Sequence, residues 1–130
     1  MKVLGIIPSR YQSSRFPGKP LAKILGKSMI QRVYEQCSKC SLLDDIIIAT
    51  DDNRIITHVQ KFGGNAMMTS KNHLSGTERC NEVLQTIDNN YDRIINVQGD
   101  EPYINPKQII EVITLLNNSK TEIATLARKI

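Results

Sequence analysis

Arg10, Arg15 and Lys19 are the side chains best suited to chemistry, carried on the segment Ile7-Pro8-Ser9-Arg10-Tyr11-Gln12-Ser13-Ser14-Arg15-Phe16-Pro17-Gly18-Lys19-Pro20-Leu21. Each cation can give an anionic oxygen charge-assisted hydrogen bonds worth about 1.5–3 kcal/mol. Backbone N–H groups around Gly18 add further donors. Pro17 and Pro20 bracket Gly18-Lys19, which stiffens the loop and lowers the entropy cost of ordering it. Such a loop can hold a triphosphate, and its bland alternative is a solvated basic surface. The charge is concentrated: Met1 to Tyr34 holds seven Lys/Arg and no acid, so the formal +4 divides into +7 there and −3 in the remainder.

Two further stretches carry suitable groups. Asn96-Val97-Gln98-Gly99-Asp100-Glu101-Pro102 ends a strand-like run with two carboxylates. Hard divalent cations favour such oxygens, and Mg²⁺ takes one or two of them together with substrate phosphates. Asp100 is the expected Mg²⁺ ligand, Glu101 less so, and a plain turn is the alternative. Ser75-Gly76-Thr77-Glu78-Arg79 has the S-x-x-E spacing of a capping box. The cap accounts for Ser75 and Glu78 but not for Gly76 and Arg79, and a helix start can also receive a ligand's polar edge.

Other chemistries are disfavoured. Gly26-Lys27-Ser28 imitates the tail of a P-loop, but Leu21 stands where its first Gly is needed, and no G-x-G-x-x-G occurs. Cys37 and Cys40 form a C-x-x-C at the end of a helical pattern, whereas a redox pair should open a helix and a zinc site needs a second ligand pair. Cys37 is read as core-facing and Cys40 as a helix-end residue. Three cysteines and no secretory signal argue against a disulfide framework. His58 and His73 have no Ser or Cys nucleophile arranged beside them, and Met67-Met68 reads as core filler.

Hydrophobic periodicity supplies the elements that position these groups. Lys2 to Pro8 is strand-like. Met29 to Cys40 repeats Ile30, Val33, Tyr34 and Cys37 at helical spacing. Asp45 to Thr50 is a β-rich run. Asp51, Asp52 and Asn53 offer caps for a helix with Ile55, Ile56, Val59 and Phe62 that stops at Gly63-Gly64. Asn65 to Thr69 is a weaker strand, and Cys80, Val83, Leu84 and Ile87 form the next helical stripe. Arg93 to Gln98 is a strand, Asn105-Pro106 opens a helix with Ile109, Val112, Ile113 and Leu116, and Glu122 to Ala127 is a last strand. The alternation predicts an α/β fold with an open, mostly parallel sheet, helices on both faces and right-handed crossovers. Residues 1–130 are expected to form one domain. The last strand has no covering element after it, which we read as truncation.

The composition excludes several classes. At 40% hydrophobic and 23% charged the chain is globular, and its longest apolar run, Ile46 to Ala49, is far too short for a membrane span. A cytoplasmic protein with no membrane association is expected. Aromatics are only 5% and Trp is absent, which disfavours a stacking surface for nucleic acid.

Together the basic loop, Ser75 to Arg79 and Val97 to Pro102, with Ala49-Thr50-Asp51-Asp52, resemble the 3-deoxy-manno-octulosonate (KDO) cytidylyltransferases, the CMP-KDO synthetases of lipopolysaccharide biosynthesis. The resemblance runs through the whole chain but reaches only about the N-terminal half of a family member. It implies a Rossmann-like nucleotidyltransferase fold, transfer of CMP from CTP to KDO with release of pyrophosphate, a Mg²⁺ requirement and a homodimer. It assigns Pro8, Arg10, Arg15, Lys19, Ser75, Gly76 and Arg79 to CTP, Gln98 to KDO, Asp100 to Mg²⁺, and catalytic roles to Lys19 and Asp100. Phe16 replaces a usual Leu, and Leu74 a common Gln. The family's second metal-binding Asp, most KDO contacts and the dimer elements fall outside these residues. Another sugar nucleotidyltransferase, of the spore-coat polysaccharide type, shares the basic-loop pattern, and a non-catalytic CTP-binding fragment is the alternative from a different class.

Overall fold

The computed structural model describes residues 2–12, 18–72, 76–87, 91–99, 102–116 and 123–125. Val3–Pro8 forms β1, and all of it but Pro8 is buried, as an unbroken apolar run should be in a central parallel strand. The other sheet strands are β4 (Asp45–Thr50), β5 (Ala66–Met68), β6 (Arg93–Asn96) and β7 (Ile123–Thr125), in the order β5-β4-β1-β6-β7, all pairs parallel. The expected parallel α/β sheet is therefore present. Strand β6 is shorter than the pattern implied: its ladder ends at Asn96, and Val97 adds one bond to Ile6 O at 2.9 Å. Gln98 consequently lies beyond the strand.

Among the described residues four helices cover the sheet: α1 (Met29–Ser38), α2 (Asn53–Lys61), α3 (Gly76–Thr86) and α4 (Pro106–Leu116). Ile30, Val33 and Cys37 of α1, Ile55 and Val59 of α2, and Ile109 and Ile113 of α4 share one core with Ile7, Ile48 and Ile95. Cys80 and Val83 of α3 pack on the opposite face against Leu4, Ile6 and Ile94. Each such large side chain contributes about 1.5–3 kcal/mol when fully buried. One expectation fails here. The step β6-α4-β7 runs outward from β1 in the opposite direction to β1-α1-β4 yet crosses the same face, so the two connections cannot share a hand. The α4 stripe packs beside α1, where Gln36 Nε2 donates to Ile104 O at 2.7 Å, and that docking fixes the face.

Local chemistry explains where the helices begin and end. Ser28 Oγ accepts from Gln31 N to cap α1, and Asp52 Oδ1 accepts from Arg54 N to cap α2. Asn105 Oδ1 accepts from Lys107 N, and Pro106 opens α4. Helix α2 stops where Gly63 turns left-handed at φ 84° and Gly64 N bonds back to Val59 O at 2.9 Å.

Two elements escaped the periodicity. A 3-10 turn covers Lys19–Leu21, and a short antiparallel pair joins β2 (Lys23–Ile24) to β3 (Lys27–Ser28) through Leu25 and Gly26. Both turn residues have positive φ, 52° and 87°. Arg32 ties the turn to α1 by donating to Ile24 O at 2.6 Å and Leu25 O at 2.9 Å. Met68 departs from the core-filler reading, since it is exposed while Met67 packs partly against the α3-side core. No helix among the described residues is long and apolar enough to cross a membrane.

Candidate functional site

The carboxyl end of β1 turns directly into the basic segment, and a network of hydrogen bonds fixes where that segment starts and finishes. Ser9 N donates to Ala49 O at 2.8 Å, extending the β1–β4 ladder by one residue. Tyr11 N donates to Asp51 Oδ1 at 3.2 Å, just past the end of β4. Gly18 N then returns to Tyr11 O at 2.7 Å and closes the loop at its base. Gly18 has φ 74°, and a Cβ there would lie 3.1 Å from the Tyr11 ring, so both conformation and space call for glycine. The same ring carries the Arg54 guanidinium, 3.4 Å from its centroid.

The amides around Gly18 are partly spoken for. Gly18 N serves the loop closure, and Leu21 N donates to Gly18 O at 2.9 Å within the 3-10 turn. These two therefore hold the loop together instead of facing a ligand. Pro20 is buried beneath the turn, which directs Lys19 toward the sheet edge.

A cavity of about 260 Å³ opens at this edge, lined by Pro8, Ser9, Arg10, Lys19, Pro20, Met29, Gln98 and Gly99. It gathers four of the residues singled out from sequence: Pro8, Arg10, Lys19 and Gln98. Ser9 and Gly99 were missed; their only sequence signal is their place one and three residues beyond the ends of adjacent strands. Arg15, Ser75 and Asp100, with Glu101, lie outside the described residues. Gly76 begins α3 and comes close to Pro8, because a Cβ on it would stand 3.1 Å from Pro8 Cγ and 3.6 Å from Asn96 Nδ2.

Arg79 stands elsewhere. It is 4% exposed, does not line the cavity, donates from Nη1 to Thr69 Oγ1 at 2.5 Å and to Ser70 O at 3.0 Å, and lies 4.0 Å from Asp51 Oδ2 through Nη2. The structure thus gives Arg79 an internal role, linking α3 to the ends of β4 and β5. Asp51, read from sequence as a cap candidate, instead joins the basic loop to α3, while the cap is Asp52. The Arg54 guanidinium bound to Asp52 holds that carboxyl below the usual carboxylate range.

Neither histidine nor cysteine chemistry enters this edge among the described residues. Ser28 Oγ and His58 Nε2 are 2.5 Å apart, a pair the sequence did not reveal. Ser28 Oγ also accepts from Gln31 N, and the imidazole tautomer sets which atom donates in its pair with His58. Burial, aided by Lys61 and Lys23, pushes His58 below its ordinary value. Cys37 and Cys80 are buried and their thiols are pushed up to about 12, chiefly by desolvation, while Cys40 is buried and free. Among the described residues no three His, Cys, Asp or Glu side chains stand together as a metal site.

Comparison with known proteins agrees with this architecture. The family model described as cytidylyltransferase matches residues 4–130. The 3-deoxy-manno-octulosonate cytidylyltransferase of Parabacteroides distasonis is 55% identical over 128 residues, which are 98% of this chain and 50% of that protein. The mitochondrial 3-deoxy-manno-octulosonate cytidylyltransferase of Arabidopsis thaliana is 51% identical over 88% of this chain and 40% of its own length. Among solved structures, a CMP:2-keto-3-deoxy-manno-octonic acid synthetase complexed with CTP superposes with a TM-score of 0.87 at 44% identity, covering 92% of this chain and 48% of that one. The chain spans about half the length of the curated relatives it matches.

Proposed function

The chain belongs to the cytidylyltransferase family, and from that premise we propose that it provides the nucleotide-binding half of a cytoplasmic 3-deoxy-manno-octulosonate cytidylyltransferase of lipopolysaccharide biosynthesis. The observation that carries the proposal is the cavity at the end of β1, where Arg10 and Lys19 stand with Pro8 and Gln98. Its position beyond the carboxyl ends of parallel strands is where open α/β sheets bind ligands.

In the proposed reaction a KDO hydroxyl oxygen attacks the α-phosphorus of CTP. A new oxygen–phosphorus bond forms, the bond to the β-phosphate oxygen breaks, pyrophosphate leaves, and the hydroxyl proton passes to solvent. Such a displacement depends on positioning and on neutralising charge more than on covalent help from the protein. Arg10, Arg15 and Lys19 would grip the phosphates, with Lys19 opposing the charge that develops on the leaving group. Gly76 and Pro8 would border the cytidine together with Ser75, and Gln98 would face KDO.

Mg²⁺ would be held by the Asp100 carboxylate together with substrate phosphate oxygens, and when bound it would supply further charge neutralisation. A homodimer of the family's kind would use elements outside this chain. The half-length coverage also favours one second reading, a CTP-binding module without turnover. Pyrophosphate release measured with CTP, KDO and Mg²⁺ separates the two. Turnover supports the enzyme; Mg²⁺-dependent CTP binding without turnover sinks that claim for this chain and leaves the module.

A further inference from the structure

Two buried side-chain atoms among the described residues have no hydrogen-bond partner, Ser9 Oγ and Asn96 Oδ1. Leaving a buried polar group unpaired costs free energy, so its position asks for an explanation. The two cases differ. Asn96 is 1% exposed and not part of the cavity wall, whereas Ser9 is 4% exposed and lines the cavity with Arg10, Lys19 and Gln98. The Ser9 backbone N–H is committed to Ala49 O, which leaves the hydroxyl as its available donor.

Gly99 packs directly against that hydroxyl. A Cβ at position 99 would sit 2.5 Å from Ser9 Oγ and 2.8 Å from Pro8 O, closer than atoms can pack. Ser9 therefore combines a donor without a protein partner and a place in the wall of a cavity flanked by two cations. An oxygen-rich anion is the ligand class that suits both features.

We propose that Ser9 Oγ–H donates a hydrogen bond to an oxygen of the bound nucleotide, on a phosphate or on the ribose, and so positions it between the basic loop and Gln98-Gly99. The proposal rests on the CTP-binding reading above. The hydroxyl has no partner within the protein; the nucleotide supplies one, and the free energy of that bond appears as affinity.

Ser9→Ala tests this in the 130-residue chain. Wild type and variant are titrated calorimetrically, with Mg²⁺ present, against CTP, CMP, cytidine and inorganic pyrophosphate, and both are unfolded thermally without ligand. The expected result is CTP binding weakened roughly tenfold with unliganded stability equal or higher. A loss shared by pyrophosphate assigns the partner to the outer phosphates, one shared by CMP but not cytidine to the α-phosphate, and one shared by cytidine to the ribose. Unchanged CTP affinity in the variant, with wild type binding CTP, overturns the role of Ser9 and leaves the CTP reading intact. So does a less stable unliganded variant, which would show the hydroxyl already partnered within the fold. A wild-type chain with no affinity for CTP overturns the CTP reading itself, and with it this proposal.

Discussion

Asp51 and Arg79 stand 4.0 Å apart, carboxylate oxygen to guanidinium nitrogen, with side chains only 11% and 4% exposed. Through its other oxygen Asp51 accepts from Tyr11 N, so one acid joins the start of the basic loop to the start of α3. The sheet edge is thus braced from both sides by a single residue at the end of β4. Arg79 completes the brace by bonding to Thr69 and Ser70 beyond β5.

That arrangement makes Arg79 a test of structure against ligand binding. Arg79→Met should lower stability by about 3 kcal/mol, because it leaves the mostly buried Asp51 carboxylate without its cation and the Thr69 hydroxyl with only its bond to Thr50 O. The loss is read from the urea midpoint. Arg79→Lys should recover little of it, since one ammonium on a flexible stem cannot serve the Thr69, Ser70 and Asp51 oxygens together. A fully stable Arg79→Met with weakened CTP binding would move Arg79 back to the ligand.

Lys19 and Lys61 offer a contrast within one molecule. Lys19 lines the cavity; Lys61 is exposed at the end of α2, beside His58. Lys19→Ala should weaken CTP binding roughly ten- to a hundredfold, the scale of a charge-assisted hydrogen bond. Lys61→Ala should leave it nearly unchanged. Equal effects in a calorimetric titration would detach the basic loop from the phosphates.

His58 should make stability depend on pH. Its folded pKa lies below the ordinary value of 6.5, first through burial and then through Lys61 and Lys23. The unfolded chain therefore takes up the proton first on acidification, and stability falls with pH through this window. The contribution is fully present above about pH 6.5 and is lost as pH drops toward the folded value. Urea midpoints at pH 7.5 and 5.5 should differ more in wild type than in His58→Gln. An identical difference in both would exclude His58 as the source.

The C-x-x-C should be chemically silent. Cys37 and Cys80 are buried with thiols raised to about 12, and Cys40 is 2% exposed. Thiolate is the reactive form, so little of it exists at neutral pH. A thiol-specific disulfide reagent should label none of the three until denaturant is added. Rapid labelling of the native protein at neutral pH would revive a redox role for Cys37 and Cys40.

How much of this was legible in the sequence follows from what each signal requires. The strand and helix order was readable because β1 and β4 are continuous apolar runs and α1 and α2 carry 3.6-residue stripes, with Asp and Gly signals bounding α2. Arg10, Lys19 and Gln98 were readable as a group because strand ends on one side of a parallel sheet must converge. Arg79 was misleading. An arginine beside a capping box looks free, and only the tertiary approach of Thr69 and Asp51 shows that it is engaged. Ser9 left no signal beyond its place after β1, since an unpaired hydroxyl is defined by what fails to surround it.

The β2–β3 turn was hidden for a local reason, and that reason yields a last prediction. Two-residue turns with positive φ at both centres are normally announced by Asn-Gly, but here Leu25 precedes Gly26. Leu25 adopts φ 52° while 88% exposed, so it bears the steric cost of a left-handed conformation with little burial in return. Arg32 supplies the compensation, holding the Ile24 and Leu25 carbonyls against α1. Leu25→Asn should accordingly raise stability by up to about 1 kcal/mol, because Asn enters this region more readily. For a chain of this size that is a melting-temperature gain of roughly 4 °C. CTP affinity should stay constant, since Leu25 does not line the cavity. A loss of stability would instead mean that the leucine side chain, not the turn geometry, holds this corner of the protein.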